Sequence, residues 1–463
     1  APYMELMGVT TGGMMSTDNY MNQGHREPLF SRYHAAGSVG VMVAKECCCR
    51  GQVLTVSTAC SSGAVGIKLA LEILRRGAAR RILVGGAESL CRLTYYGFNS
   101  LQIVDRSGAR PMDRDRHGMS VAEGAAMLLL TAAEHPPPQA VAEVLGGGLT
   151  CDAHHPAAPH PEGRGAREAM VVALGDAGLS PDAVDYINLH GTGTIENDLA
   201  EGFALKSVFG DQLPPVSSIK GSFGHSLAAS GAIEAIVAAL CIREGFMPAN
   251  VGWQHQDETI GIRPLTKPRH QPVQTVLSNS FGFGGNNAAL VFGDLENRKT
   301  VKTAQPKRKL AVSGYACMTG AGGTAATLER FFQGASCQGV LAADRLTDRL
   351  PPRSVRRMKR LARMALGLST RTFEKAGAAT ASVSDVYFGT AWGALSETHD
   401  FLEKLYATKE FYTSPIDFVG SVHNAPAGQV AMRSKARGAN VAMTGGDASF
   451  EQALTAAHYL ATN

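Results

Sequence analysis

The beginning of this chain recurs near its end. Phe388-Gly389-Thr390-Ala391-Trp392-Gly393 parallels Met7-Gly8-Val9-Thr10-Thr11-Gly12, and Asn440 to Gly446 parallels Leu54 to Cys60. The offsets, 381 (389 minus 8) and 386 (446 minus 60), differ by no more than a loop-length change. One architecture is therefore used twice, and the second copy must satisfy the packing rules of the first. On this alignment Gly446 stands where the first copy has Cys60.

Cys60 lies where a β-rich run, Gln52 to Ser57, gives way to an apolar helix pattern carried by Ala64, Val65, Ile67, Leu69, Ala70, Leu71, Ile73 and Leu74, with Gly77 as its stop. The thiol is thereby placed at a strand-to-helix turn. Unpaired N–H groups and the positive end of the helix dipole favour thiolate there, which predicts a lowered pKa and a nucleophilic sulfur. Taken alone, a free cysteine is more often a buried, inert thiol.

The remaining chemistry-bearing residues also fall at the ends of short apolar strands. Val184 to Leu189 delivers His190 into Gly191-Thr192-Gly193-Thr194, and Val216 to Ile219 delivers Lys220-Gly221-Ser222-Phe223-Gly224-His225. A small-residue helix from Leu227 to Ile242 carries Glu234. Thr275 to Ser280 and Ala288 to Phe292 form a hairpin around Phe281-Gly282-Phe283-Gly284-Gly285-Asn286, whose glycines permit backbone conformations other residues avoid. With Arg81 to Val84 and Met127 to Leu130 as further strands and Gly165 to Ala177 as a helix, the alternation argues for α/β layering.

Composition bounds the partners. A formal charge of +4 on 44 basic and 40 acidic residues is too balanced for nucleic acid or a membrane surface as the main partner. The longest apolar runs, such as Ala235 to Ile242, fall far below the roughly 20 residues of a membrane span, and no leader pattern opens the sequence, so the cytoplasm is the expected compartment. Nine cysteines without framework spacing read as reduced thiols, and Cys47-Cys48-Cys49 lacks the spacing of a zinc site. The Pro-rich loop from Cys151 to Pro161 holds three histidines but no further ligand on a regular element, so no metal is expected. Six of the fourteen residues from Glu296 to Lys309 are Lys or Arg, which marks a linker; Leu310 to Tyr315 then reads as a strand and Arg356 to Ala376 as a basic amphipathic helix.

Taken together, Thr58 to Gly63, Gly85 to Glu88, His190 to Thr194, Lys220 to His225 and Asn279 to Asn286 resemble the β-ketoacyl synthase family of condensing enzymes, in the family's order and at about its spacing. Residues 310–463 are similar to the front half of a second ketosynthase unit of chain-length-factor type, the partner that lacks the nucleophile. The resemblance implies an α/β, thiolase-like layered αβαβα fold with mixed five-stranded sheets. It divides the chain into a ketosynthase domain at 1–295 without its front part, a linker at 296–309, and a truncated second domain at 310–463. An arrangement in which residues 310–380 fold back to complete the first copy is the alternative.

The resemblance also implies roles. Cys60 accepts an acyl group from a carrier thioester, and neutral imidazoles of His190 and His225 stabilise the enolate left when malonyl carrier loses carbon dioxide. Backbone N–H groups of Cys60 and Phe283 form the oxyanion hole. Lys220 and Glu234 are a supporting ion pair that disfavours imidazole protonation. Thr192 and Thr194 hydrogen-bond the phosphopantetheine arm, and Phe281 is either core or an acyl-pocket gate. The implied partners are an acyl carrier protein, its acyl and malonyl thioesters, and a second ketosynthase-type unit, either in a homodimer or within the chain. No cofactor is implied beyond the carrier's own phosphopantetheine. Acyl transfer without condensation and a catalytically incompetent pairing or scaffold module are the competing functions.

Overall fold

The computed structural model describes residues 3–23, 33–296, 311–377 and 383–461. Met4–Gly8 (β1), Val53–Val56 (β2), Arg81–Glu88 (β3) and Gly124–Thr131 (β4) form one sheet in the order β2-β1-β3-β4. The first three strands run parallel, and β4 returns antiparallel along β3. Glu143–Cys151 (β5), Tyr186–Asn188 (β6) and Val216–Ser217 (β7) belong to a second sheet. Phe246–Met247 (β8) and Arg269–His270 (β9) make a separate short pair. Thr275–Gly282 (β10) and Asn286–Gly293 (β11) complete the second sheet in the order β5-β11-β10-β6-β7.

Helices Ser62–Arg75 and Ser230–Glu244 lie between the sheets, helix Gly37–Glu46 covers the outer face of β1 and β2, and Arg164–Ala177 and Ile195–Phe209 cover the second sheet. This is the five-layer α/β arrangement. Close approach of the layers explains the glycines: a Cβ on Gly63 would lie 2.7 Å from the Ala228 carbonyl oxygen, and one on Gly86 2.5 Å from the same atom.

The second copy enters the first sheet. Val386–Gly389 (β12) pairs parallel with Asn440–Met443 (β13), and β13 meets β2 antiparallel at Met443 and Val56. The expected pair of five-stranded sheets is therefore one five-stranded sheet and one six-stranded sheet shared by the two copies, in the order β12-β13-β2-β1-β3-β4. Hydrogen bonds from Ser57 N to Ala442 O and from Thr444 N to Thr55 O, 2.8 and 3.0 Å, extend the junction.

Two expectations fail here. Residues 311–318 have no regular secondary structure: Val312 is 84% exposed, and Gly314 packs on Ala376 instead of joining a sheet. Apolar alternation without a neighbouring strand leaves backbone groups to water, and no strand results. Nor do residues 311–377 fold back to complete the first copy, since helix Arg360–Ala376 packs chiefly on Ala425–Ser434 of the second. Its basic residues make local contacts: Lys359 pairs with Asp417, Arg360 donates to Leu341 O, and Arg363 to Met358 O. The linker, apart from Glu296, lies outside the described residues. Strand β5 was not expected either. A Cβ on Gly148 would lie 2.2 Å from Ala169 O, so glycine is what lets a helix press on this strand.

On β1, Glu5 is fully buried beneath Gly40, with neither carboxyl oxygen hydrogen-bonded. Burial pushes its carboxyl from 4.5 up to about 8. The folded pKa lies above the unfolded one, so the folded chain holds the proton more tightly and stability is lost as pH rises through this window. Glu5→Gln removes that dependence. Chemical denaturation at pH 5 and pH 8 is expected to show the variant gaining on the parent with pH, by at most about 1.4 kcal/mol per pH unit. An equal difference at both pH values would refute the assignment.

Candidate active site

Cys60 sits in a single 3₁₀ turn, Ala59–Ser61, just before helix Ser62–Arg75. Ala59 takes a left-handed backbone, φ +52°, a costly conformation for a residue with a Cβ that must be held by its surroundings. Its carbonyl accepts from Thr10 Oγ1 at 3.3 Å and Ser62 Oγ at 2.6 Å, while Ser61 Oγ donates to Thr58 O at 2.8 Å. The two serines after the cysteine thus lock the turn. Thr10 and Thr11 are pinned in their turn by Glu88, which accepts from their N–H groups at 2.9 and 3.0 Å.

The predicted depression of the Cys60 pKa does not survive the tertiary structure. The N–H groups of Cys60 and Phe283 aim at the sulfur, and with Lys220 they favour thiolate, but burial outweighs them and pushes the thiol up to about 12. At neutral pH the residue is a thiol, and its proton must leave as the sulfur attacks. A helix N-terminus acts locally, whereas the desolvation comes from β10 and β11 packing on the turn.

His190 and His225 meet as expected, their ring centroids 5.4 Å apart at an interplanar angle of 84°. Both are buried and held neutral, first by desolvation and then by the Lys220 charge. Lys220 Nζ donates to His190 O at 2.7 Å, stands 3.4 Å from His190 Nδ1, and forms a short ion pair with Glu234. His225 Nδ1 lies 2.9 Å from Ser230 Oγ. Lys220 can only donate, which places the His190 proton on Nε2, and the Ser230 hydroxyl can donate to His225 Nδ1 and so permits the same tautomer there. Glu234 is raised by burial, opposed by Lys220 and by Ser280 Oγ at 3.3 Å.

An outer cleft of about 940 Å³, open to solvent, is lined by Cys60, His190, His225, Thr192, Thr194 and Phe281 among others. The Thr192 and Thr194 hydroxyls, both in its lining, are 2.9 Å apart. A deeper but narrow cavity, with room for about one water molecule, lies beyond Cys60. Cys60, Phe98 and Phe283 line both spaces, whereas Phe281 lines the outer one alone and packs on His190 at 5.4 Å. The aromatic rings shared by the two cavities are therefore Phe98 and Phe283.

Sequence reasoning passed over several residues. Glu201 fixes the histidine loop, accepting from His190 N at 2.9 Å, Gly191 N at 2.8 Å and Asn279 Nδ2 at 3.1 Å; burial lifts it to about 7. Thr398, Phe418, Ser421, Val422 and His423 of the second copy line the deep cavity. No local pattern points to them, because they reach the site only when the second copy packs on the first, along the β2–β13 junction and against helix Arg92–Ser100. In the Pro-rich loop from Cys151 to Pro161, His155 Nδ1 accepts from Ala157 N and Ala158 N.

The second copy's turn corrects the alignment by one residue. Thr58 N donates to Ser62 Oγ and Gly445 N to Ser449 Oγ; Ala59 and Gly446 share the left-handed conformation, φ +52° and +61°. Gly446 is thus the counterpart of Ala59, and Asp447 that of Cys60. Asp447 is exposed, whereas Cys60 is buried in a cleft that His190 and His225 also line. Asp447→Cys is expected to alkylate readily with iodoacetamide yet to gain no acyl group from a carrier thioester; acylation at that position would show that the turn alone suffices.

Comparisons with known proteins agree on one family. The profile described as Beta-ketoacyl synthase, N-terminal domain matches residues 3–135, the C-terminal domain profile matches 141–254, and a second N-terminal domain profile matches 337–463. The 3-oxoacyl-[acyl-carrier-protein] synthase 2 of Mycobacterium tuberculosis (strain ATCC 25618 / H37Rv) is 34% identical over 302 residues, covering 63% of this chain and 69% of its own length. Among solved structures, the ishigamide ketosynthase/chain length factor is 32% identical with a TM-score of 0.59, over 63% of this chain and 75% of that one. The PfaC Keto synthase-Chain length factor covers 99% of this chain and 60% of its own with a TM-score of 0.83; at 18% identity it speaks to the fold alone.

Proposed function

The chain belongs to the β-ketoacyl synthase family, and on that premise we propose that it catalyses decarboxylative condensation of a malonyl carrier thioester with an acyl group held on Cys60, in fatty acid or polyketide chain elongation. One observation carries the mechanism. With Lys220 at His190 Nδ1 and a hydroxyl able to donate at His225 Nδ1, both Nε2 atoms can present N–H groups to an enolate, beside a sulfur on which two backbone N–H groups converge.

In the first half-reaction Cys60 Sγ attacks the acyl thioester carbon and its proton passes to the departing carrier thiolate. The tetrahedral oxyanion takes hydrogen bonds from Cys60 N and Phe283 N. In the second, the malonyl C–C bond breaks, carbon dioxide leaves, and the electron pair becomes an enolate held by His190 and His225. That carbon attacks the acyl-Cys60 carbonyl; the C–S bond breaks, and the Cys60 sulfur regains a proton. The Lys220 charge keeps the imidazoles neutral, as hydrogen-bond donation to an enolate requires. Thr192 and Thr194, in the lining of the cleft, hold the phosphopantetheine arm of an acyl carrier protein. The second copy is a chain-length-factor-like partner without a nucleophile, joined within the chain. Nine free thiols suit a reducing compartment, the cytoplasm, and among the described residues no helix is long and apolar enough to cross a membrane.

Supplying an acyl carrier thioester and labelled malonyl carrier tests the proposal. Condensation gives β-ketoacyl carrier and carbon dioxide in equal amounts. Acyl-Cys60 without carbon dioxide release would mean acyl transfer alone, and no labelling of Cys60 would mean a pairing or scaffold module.

A further inference from the structure

We propose that Asn424, a residue of the second copy, is a positioning residue for the oxyanion donor of the first; this rests on the assignment of Phe283 N as that donor. Asn424 is buried at the start of helix Ala425–Ser434, and its Nδ2 donates to Phe283 O at 2.8 Å. Asn286 Nδ2 donates to the same oxygen at 3.0 Å. The Phe283 ring is held from the same side: it packs edge-on against Phe418 of the second copy, centroids 6.3 Å apart, and against Phe98 at 5.6 Å.

These contacts grip two of the substituents on the Phe283 Cα, the carbonyl and the side chain. The geometry of a tetrahedral carbon then dictates where the third, the amide nitrogen, lies. The contact is also sterically tight. Gly284 is left-handed, φ +84°, and a Cβ there would lie 2.8 Å from Asn424 Nδ2; a Cβ on Gly428 would lie 3.2 Å from Gly284 Cα. Gly282, on the other side of Phe283, brings the loop against the nucleophile turn, where a Cβ would lie 3.1 Å from Cys60 N. The loop is thus clamped between Cys60 and the second copy, and the hydrogen bond that spans the junction ends on the residue that supplies the oxyanion donor.

The consequence is separable from general stability. Acylation of Cys60 passes through an oxyanion at Phe283 N, whereas carbon dioxide release from malonyl carrier relies on His190 and His225. Asn424→Leu, similar in size but without a donor, is expected to slow single-turnover acylation of Cys60 roughly tenfold or more at saturating thioester, as misplacement of a reactive group by a fraction of an ångström does. The half-saturating thioester concentration and the rate of carbon dioxide release from malonyl carrier should stay within about twofold of the parent, since neither uses the Phe283 N–H. Asn424→Asp, which keeps the shape and removes the donor, serves if the leucine variant does not fold, and should show the same split. Hydrogen exchange of the peptide spanning 281–286 should accelerate in either variant. Unchanged acylation, or acylation and carbon dioxide release falling together, would overturn the proposal. A parent chain that never acylates Cys60 would instead overturn the proposed function; loop exchange still decides the clamp, and exchange unaltered by both substitutions would refute it.

Discussion

Cys60→Ala is expected to abolish acylation and to lower β-ketoacyl carrier formation by on the order of a thousandfold or more, because no other group can carry the acyl chain between the two half-reactions. Carbon dioxide release from malonyl carrier is expected to persist in the same variant. The groups that hold the enolate, His190 with Lys220 and His225 with Ser230, are untouched by loss of one sulfur atom. The fold should tolerate the change, since alanine fills most of the small buried space. Intact-mass analysis after incubation with an acyl thioester, alongside a carbon dioxide assay, reads both effects. Condensation at the parent rate in the alanine variant would refute the role given to Cys60.

Lys220→Met carries the second large effect. Lys220 and Glu234 are both about 1% exposed and make their ion pair with each other. Removing the lysine leaves the Glu234 carboxylate in the interior with only Ser280 as a partner, 3.3 Å away. Breaking a buried pair in this way costs about 3–5 kcal/mol. His190 loses its Nδ1 neighbour and the charge that helps to keep it neutral, so condensation should fall as well. The double variant Lys220→Met, Glu234→Met separates the two consequences. Without an orphaned charge, most of the stability should return, whereas condensation should not, because the tautomer of His190 is no longer specified. Denaturant titration and the condensation assay on all three variants provide the check; recovery of both properties in the double variant would make the pair purely structural.

These effects were partly visible before any coordinates, and what was visible has a physical boundary. The turns carrying Cys60, His190 and His225 are each encoded by a short apolar run that stops at glycines and polar residues, so local pattern located them. Glycine made other segments illegible for a related reason. Gly146 to Gly148 lack strand character as residues, and only the helix Arg164–Ala177 pressed on them reveals why they belong in β5. Leu310 to Tyr315 has strand character, but a strand requires a neighbour. The Cys60 pKa shows the same division: helix position and nearby charge were read from the chain, whereas desolvation depends on what folds over it. Asn424 and Glu201 act through hydrogen bonds to backbone atoms, which leave no mark in the residues that receive them. The slip between Gly446 and Asp447 arose because the shared feature of the two turns is a left-handed backbone, and alanine in one copy hides its equivalence to glycine in the other.

The junction of β2 with β13 has a consequence for how the molecule can vary. In an assembly of two identical chains every substitution is made on both sides of the symmetry axis, so a residue good for one role must be tolerable in the other. Here the two sides are encoded separately. Gly63 can keep a helix within reach of the Ala228 carbonyl while its counterpart is Phe450, 67% exposed, a side chain the first site could not admit. Asn424 can serve the Phe283 loop without a matching asparagine having to fit at the corresponding place in the first copy. Covalent fusion thus frees each half from mirroring the other, and a support residue can specialise where a nucleophile has been given up.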